Sequence, residues 1–148
     1  MAINPRPDGY HSVTPYLVVD GAARVIDFLK QVFNAQEVMR LAAPGGRIGH
    51  ADLRIGDSMV MLGDARPGHP AMPAMLYVYV DDVDAAYQRA MRAGAPSEQA
   101  PTDQFYGDRS GAVKDPCGNL WWIATRIEDV TPDELRRRAE AAMRKAGG

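Results

Sequence analysis

The sequence has little of what small domains use for cross-links and metal centres. It contains one cysteine and three histidines in 148 residues, which excludes an intramolecular disulfide framework. The histidines, His11, His50 and His69, show neither HxH nor HxxxH spacing. A single thiol is typical of a reducing compartment, so we expect a cytoplasmic protein.

Long apolar runs and a strong charge of either sign are also missing. The formal net charge is −2, which argues against a nucleic-acid surface. The longest apolar runs, such as 75–80, are too short to cross a bilayer, and the first residues lack the pattern of a secretory signal. We therefore expect neither a nucleic-acid nor a membrane partner.

What the chain does contain is a pattern of strands and helices that occurs twice. In the first half we predict a strand at 12–20, a helix at about 21–34 capped by Asp20, and strands at 37–41, 47–55 and 59–63. After a Pro- and Gly-rich segment we predict a strand at 75–80, a helix between Asp82 and Gly94, and strands at 96–101, 108–114 and 120–125. A capping box that begins at Thr131 predicts a final polar helix.

The two halves are related by an offset of 61 residues without gaps. Residues 16–20 fall on 77–81, the turn at 56–57 falls on 117–118, and 59–61 falls on 120–122. Each half is a βαβββ unit that is too small to bury its own sheet face. We therefore expect an α+β fold of two such modules in tandem, related by a pseudo-twofold axis, with a C-terminal helix added.

Alternation along the strands predicts which side chains face the helices. The aliphatic set of Val13, Leu17 and Val19 should pack beneath the first helix. The set that contains Thr14 and Tyr16 should lie on the opposite face. Because the helices cover only one face, the other face stays available for a ligand.

Three stretches carry a further signal: YLVVD at 16–20 with RVIDF at 24–28, GHADLRIGD at 49–57, and YGDRSG at 106–111 with DPCGNLWW at 115–122. They resemble the vicinal-oxygen-chelate superfamily of glyoxalase I, bleomycin-resistance proteins and extradiol dioxygenases, and within it the PhnB-like branch. The resemblance covers about 10–128 as one domain, with modules at about 10–66 and 72–128, and leaves 129–148 as a helical extension. It implies a mixed curved sheet around a cavity.

Members of that superfamily that perform chemistry usually hold a divalent metal at four strand positions. The resemblance places these positions at Thr14, Met61, Met75 and Trp122. None of the four is a usual ligand, because such cations bind carboxylate oxygen or imidazole nitrogen. We therefore expect no metal and no other cofactor.

The candidate ligand-binding residues are mostly bulky, polar-tipped side chains of the helix-free face, with two from the YGDRSG stretch that leads into the last hairpin: Thr14, Tyr16, Met61, Met75, Tyr77, Tyr79, Tyr106, Arg109 and Trp122. Such side chains favour a soft pocket for a flat, apolar or aromatic molecule. The alternative is that they pack a closed core between the modules. Arg109, beside Asp108, is either an anion clamp or half of an internal ion pair.

His50 and Asp52 are the candidates for catalysis. They lie two apart on one strand, and a histidine steered by a carboxylate is a general-base arrangement. The alternative is a solvated strand edge, because Arg54 continues the same alternation and residues 51, 53 and 55 supply the buried side. Side chains two apart on a strand also point in parallel rather than at each other. A displaced metal site that uses His11, His50 or His69 is a further possibility.

These observations favour a metal-independent binding protein that sequesters or presents an apolar or aromatic small molecule and acts as a homodimer. The first alternative is a glyoxalase-like lyase or isomerase, or a dioxygenase, with a displaced metal site or a metal-free His50–Asp52 pair. The second is a protein-interaction module that uses the basic segment at 136–138. The sequence leaves the ligand and the role of the C-terminal helix open.

Overall fold

A computed structural model describes residues 2–147. In this part of the chain the order β-α-β-β-β occurs twice and a third helix follows. The elements are β1 (Tyr16–Val19), α1 (Ala22–Phe33), β2 (Gln36–Ala43), β3 (Arg47–Ile55), β4 (Ser58–Asp64), β5 (Met75–Tyr79), α2 (Val83–Arg92), β6 (Ser97–Asp103), β7 (Asp108–Lys114), β8 (Leu120–Arg126) and α3 (Pro132–Gly147), with a short 3₁₀ turn at Pro44–Gly46. None of the helices among these residues is long and apolar enough to cross a membrane.

The strands form two four-stranded mixed sheets of identical topology, in the orders β1-β4-β3-β2 and β5-β8-β7-β6. In each sheet the first two strands are parallel and the remaining pairs are antiparallel. Tyr16 pairs with Met61 in the first sheet, and Tyr77 pairs with Trp122 in the second. The predicted α+β fold of two βαβββ modules is therefore confirmed, and so is the offset of 61 residues for β1 and β4 against β5 and β8.

Each module presents a turn to the strand–helix junction of the other. The β7–β8 turn reaches the end of β1, where Cys117 Sγ lies 3.5 Å from the carbonyl oxygen of Asp20. The β3–β4 turn, at Gly56, lines one crevice together with Tyr79 and Asp82 at the β5–α2 junction. This reciprocal arrangement is what a pseudo-twofold axis between the two modules requires.

One apolar core lies between the helices and the helix-facing sides of both sheets. Val25, Ile26 and Leu29 of α1 are fully buried in it, as their helical spacing predicts. Phe33 of α1 packs against Trp121 of β8, with ring centroids 5.5 Å apart. The core is therefore continuous across the two modules.

β1 is shorter than the predicted strand at 12–20. It begins at Tyr16, and Val13, which was expected to face the helix, is 85 % exposed. Leu17 and Val19 do face the core and are almost fully buried. The prediction for Val13 is wrong because the parallel pairing with β4 begins only at Tyr16. Residues before Tyr16 are not part of the sheet, so their side chains do not alternate between its two faces.

The two module helices begin in different ways. Asp82 caps α2 as predicted, because its side chain accepts a hydrogen bond from the backbone N–H of Ala85. Asp20 does not cap α1. Instead the Asp64 carboxylate, from the end of β4, accepts the backbone N–H groups of Gly21 and Ala22 at 2.8 and 2.9 Å.

The last helix, α3, begins after Thr131, whose hydroxyl accepts a hydrogen bond from the Glu134 backbone N–H, as the capping box predicts. Arg138 of α3 donates hydrogen bonds to Glu128 and to the carbonyl oxygen of Phe105. These contacts tie the exposed helix to the loop before β7.

Candidate functional site

The helix-free face of the first sheet carries three side chains joined by hydrogen bonds. Tyr16 Oη lies 3.1 Å from His50 Nδ1, and His50 Nε2 lies 2.9 Å from Asp52 Oδ1. The prediction that His50 and Asp52 share a face is confirmed. The expectation that they point in parallel is wrong, because the two side chains bend toward each other into hydrogen-bond contact.

Asp52 is 8 % exposed and lies on an inner strand, so the interpretation as a solvated strand edge is wrong. The segment before β1 covers this carboxylate. Burial, together with a hydrogen bond to Asp52, raises the pKa of Tyr10 to about 12. Like any tyrosine, Tyr10 is protonated at neutral pH, so its hydroxyl is a donor for Asp52.

The equivalent face of the second sheet carries a buried carboxylate between two phenols. Asp108 is 5 % exposed, and its Oδ2 accepts hydrogen bonds from Tyr77 Oη at 2.7 Å and from Tyr79 Oη at 2.8 Å. Burial and the bond to Asp108, with Tyr106 close by, raise the pKa of Tyr77. The bond to Asp108, followed by burial, raises the pKa of Tyr79. Both phenols are held protonated as donors, and their rings are fixed in place.

Tyr77, Tyr79 and Trp122 form a continuous surface, called the aromatic wall below. The rings of Tyr77 and Trp122 are stacked with centroids 6.4 Å apart and planes 19° from parallel, and Tyr79 meets Tyr77 edge to face at 5.4 Å. Tyr77 is 43 % and Tyr79 63 % exposed, and Met75 extends the surface at 70 % exposure. Within one chain these side chains do not pack a closed core.

A cavity of about 550 Å³ lies between the edge strands β1 and β5. Tyr16, Met75, Tyr77 and Tyr79 line it, and the β3–β4 turn and the buried ring of Trp121 contribute to its wall. The volume is in the range of small-molecule sites. The cavity brings together four of the predicted ligand-binding residues, from both modules.

The other predicted ligand-binding residues lie around this cavity or away from it. Met61 pairs with Tyr16 across β1 and β4, and Trp122 pairs with Tyr77 across β5 and β8. Tyr106 lies in the loop before β7, where it meets Phe105 edge to face at 5.3 Å. Thr14 precedes β1 and is half-buried.

Arg109 does not reach the helix-free face. Its guanidinium binds Asp84 of α2 at 2.9 and 3.0 Å and Asp103 of β6 at 3.0 Å. Because successive residues of a strand face opposite ways, Arg109 lies on the helix side while Asp108 lies on the open side. The interpretation of Arg109 as an anion clamp is contradicted, and the alternative of an internal ion pair is correct, although Asp84 and Asp103 rather than Asp108 are its partners.

The residues at the four positions expected from the superfamily do not fit a metal ion. Thr14 is neutral, Met61 and Met75 offer thioethers, and Trp122 has no acceptor atom. Nowhere in residues 2–147 do three His, Cys, Asp or Glu side chains come close enough to hold a metal ion. No chemical step through a metal can therefore be derived for this chain, and the displaced metal site has no donor set among the described residues.

Sequence reasoning missed Tyr10 and the role of Asp108. Tyr10 precedes the first regular strand, and no spacing pattern links it to Asp52. For Asp108 a signal was present, because alternation along the predicted strand at 108–114 separates Asp108 from Arg109 and places it on the same face as Ser110.

Comparison with known proteins gives matches along most of the chain. Residues 9–123 match the family model described as the Glyoxalase/Bleomycin resistance protein/Dioxygenase superfamily. An uncharacterized protein of Mycobacterium bovis is 40 % identical over 158 aligned positions, which cover 99 % of both chains. The crystal structure of TioX from Micromonospora sp. ML1 is similar with a TM-score of 0.67 and 30 % identity, over 79 % of this chain and 99 % of that one.

TnmS3 from Streptomyces sp. CB03234, an antibiotic binding protein, is similar in fold, with a TM-score of 0.64 and 22 % identity over 85 % of this chain and 98 % of its own. This second structure supports the fold alone. The family model and the mycobacterial relative reach further, because they match the sequence itself over most of its length. On that ground the chain belongs to the glyoxalase/bleomycin resistance protein/dioxygenase superfamily.

Proposed function

We propose that this protein binds a flat, apolar or aromatic small molecule against the aromatic wall and does so without a metal ion. The observation that carries the proposal is the stack of Tyr77 on Trp122, on a sheet face that the helices leave open. Aromatic side chains in a concave site contribute much of the binding energy for such ligands through their large apolar area.

The wall is rigid before a ligand arrives, which supports the proposal. Asp108 holds the hydroxyl groups of Tyr77 and Tyr79, so little ordering of these side chains is needed on binding. Met75 and Met61 are flexible and polarisable, and they suit a site that adapts to the outline of its ligand. TnmS3, described as an antibiotic binding protein, shows that the same fold can hold a small molecule.

The proposal includes two expectations from the sequence. The single cysteine favours work in the reducing environment of the cytoplasm. The YGDRSG and DPCGNLWW stretches favour the PhnB-like branch of the superfamily. Both stay predictions.

A titration of protein purified without chelator, using aminoanthracene as a fluorescent, neutral, planar probe, tests the proposal. We expect saturable binding at one site per chain. Native mass spectrometry of the same sample should find no stoichiometric Zn²⁺, Ni²⁺, Mn²⁺ or Fe²⁺. Non-saturable fluorescence would contradict the binding site, and one metal ion per chain with binding lost on chelation would contradict metal independence.

We further propose that the protein forms a homodimer. The helix-free faces stay open within one chain, with Leu41 at 55 % and Tyr79 at 63 % exposure. Soluble proteins usually cover apolar faces of this kind, and a second copy offers a complementary face of the same chemistry. Sedimentation velocity at tens of micromolar should give twice the mass of the chain, and a monomer at that concentration would refute the proposal.

A second candidate function is a metal-free lyase or isomerase. The specific observation in its favour is the contact between His50 and Asp52, which places an imidazole and a buried carboxylate in the geometry of a general base.

A further inference from the structure

We propose that Tyr16, His50 and Asp52 form a proton relay in which Tyr16 is the catalytic base for proton abstraction from a ligand that carries an acidic C–H bond. This inference rests on the proposed function in one respect, because Tyr16 lines the same cavity. It does not depend on the aromatic wall. Tyr16 would be the residue that touches the ligand, and His50 and Asp52 would be positioning residues that act through it.

The hydrogen bonds determine where the protons lie. An ionised Asp52 can only accept, so the His50 Nε2 that lies 2.9 Å from it carries the proton. His50 Nδ1 then has a free lone pair, which accepts from Tyr16 Oη at 3.1 Å. The hydroxyl thus donates to the imidazole and the imidazole donates to the carboxylate, as in a Ser-His-Asp triad, with a phenol in place of the serine hydroxyl. A phenol gives up its proton more readily than an aliphatic alcohol, so transfer to imidazole is easier here.

Burial orders the three groups from the interior to the cavity. Asp52 is 8 % exposed, His50 is half-buried and Tyr16 is 46 % exposed. Among the described residues, His50 is the only basic side chain within ion-pair distance of Asp52. The carboxylate is thus free to stabilise an imidazolium, and Tyr16 is the most exposed member of the hydrogen-bonded chain. Its hydroxyl lies beside Gly63, which with Gly49 and Tyr16 lines a smaller cavity of about 330 Å³ next to the one between β1 and β5.

Gly63 of β4 gives the Tyr16 hydroxyl the room to reach His50. A Cβ at position 63 would lie 3.2 Å from Tyr16 Oη and 2.7 Å from the carbonyl oxygen of Gly49. The residue at the repeat offset is Ala124, and in that module Tyr77 turns to Asp108 instead.

Proton transfer from the ligand through Tyr16 to His50 needs no co-reactant. As the ligand C–H bond breaks, its proton passes to Tyr16 Oη, while the phenolic proton of Tyr16 passes to His50 Nδ1. The ligand is left as a carbanion, Tyr16 is again neutral, and His50 is an imidazolium paired with Asp52. The carbanion then expels a leaving group, which is a lyase reaction, or takes the proton back at another carbon, which is an isomerase reaction.

Nitrobenzisoxazole is a suitable probe because it is flat and aromatic and opens on loss of one C–H proton. The C–H electron pair forms a nitrile, the N–O bond breaks, and a coloured nitrophenolate is released. We expect saturable turnover above the buffer rate by the full chain. Tyr16→Phe and His50→Gln should each lower kcat at least about tenfold with little change in KM, as expected for loss of proton transfer. His11→Gln, at an exposed histidine outside the relay, should match the wild type.

Turnover that does not exceed the buffer rate, or a Tyr16→Phe variant as fast as the wild type, would overturn the relay. Nitrogen NMR of His50 gives an independent test, since an Nδ1-protonated tautomer could not accept from Tyr16 and would also overturn it. Aminoanthracene binding by the wild type separates the two proposals. If binding persists and turnover is absent, the relay alone is wrong, and if binding is absent, the proposed function is wrong.

Discussion

Trp121 and Trp122 are neighbours on opposite faces of β8, so the same substitution at each should separate stability from ligand binding. Trp121 has no exposed surface, packs on Phe33 and donates its Nε1–H to Asp115 Oδ2 at 2.9 Å. Trp121→Ala removes all of these contacts. Truncation of a buried tryptophan lowers the free energy of unfolding by about 3–5 kcal/mol, and the lost hydrogen bond to Asp115 adds to this loss.

Trp122→Ala should act mainly on the ligand. Trp122 is half-buried and stacks on Tyr77 rather than on the core, so its removal should change the free energy of unfolding by about 1 kcal/mol or less. Truncation of an aromatic anchor in a binding site costs about 1–3 kcal/mol of binding free energy. The Kd for aminoanthracene should therefore rise about 5- to 140-fold.

Urea unfolding followed by circular dichroism measures the stability of both variants, and fluorescence titration with aminoanthracene measures their affinity. Trp121→Ala should show a large loss of stability whatever its affinity. Equal losses of stability in the two variants would refute the assignment of the two rings to opposite faces. Wild-type affinity in Trp122→Ala would remove Trp122 from the binding site.

The remaining predictions concern two carboxylates that hold the fold. Burial alone would raise the pKa of Asp64, but three backbone N–H bonds outweigh it and lower the pKa. The resulting stabilisation is present above the unfolded pKa of about 3.9 and is lost as pH falls from that value through the lower pKa of the folded state. Asp64→Asn should therefore melt below the wild type at neutral pH and approach it in acid, and a constant difference in melting temperature would contradict this. Asp115→Ala leaves three donors of the β7–β8 turn and the indole N–H of Trp121 without this acceptor and should cost about 3–5 kcal/mol in urea unfolding, whereas Asp57→Ala in an exposed turn should cost little. A loss at Asp115 no larger than at Asp57 would show that the turn does not depend on this carboxylate.

The sequence was sufficient for features that depend on local periodicity. Alternation and a single offset predict that Tyr77 and Trp122 share one face, and their pairing across β5 and β8 agrees. The same argument failed at the start of α1, where the cap comes from Asp64, 43 residues after Gly21. A local pattern selects Asp20 because it is adjacent, and nothing in the pattern reports which side chain the folded sheet brings to the helix start.

The candidate site was predictable to a similar extent. A strand pattern shows that His50 and Asp52 share a face, but the hydrogen bond between them depends on side-chain rotamers. Tyr16 joins them only because β1 and β3 flank β4 in the sheet, which is a result of tertiary topology. The contact of Tyr10 with Asp52 depends on the path of an irregular segment, which has no periodicity to read.

The repeat itself is broken at one place, and this break decides the chemistry of the two faces. Two residues separate β3 from β4, whereas five residues, 115–119, separate β7 from β8. In the first module Asp52 pairs with Met61, and in the second Ala112 pairs with Trp122. The offset alone would have placed Val113 opposite Trp122, so β7 is shifted by one residue.

A shift of one residue exchanges the two faces of a strand. The residue at the offset from Asp52 is Val113, which is buried in the core beneath the helices, while Asp108 and Ser110 take the helix-free face. The second module therefore cannot repeat the hydrogen-bonded chain that ends at Tyr16, and it builds a carboxylate between phenols instead. A ligand in the cavity between β1 and β5 would meet a proton acceptor on the first module and an aromatic wall on the second. The different lengths of the two turns thus give a symmetric fold an asymmetric site.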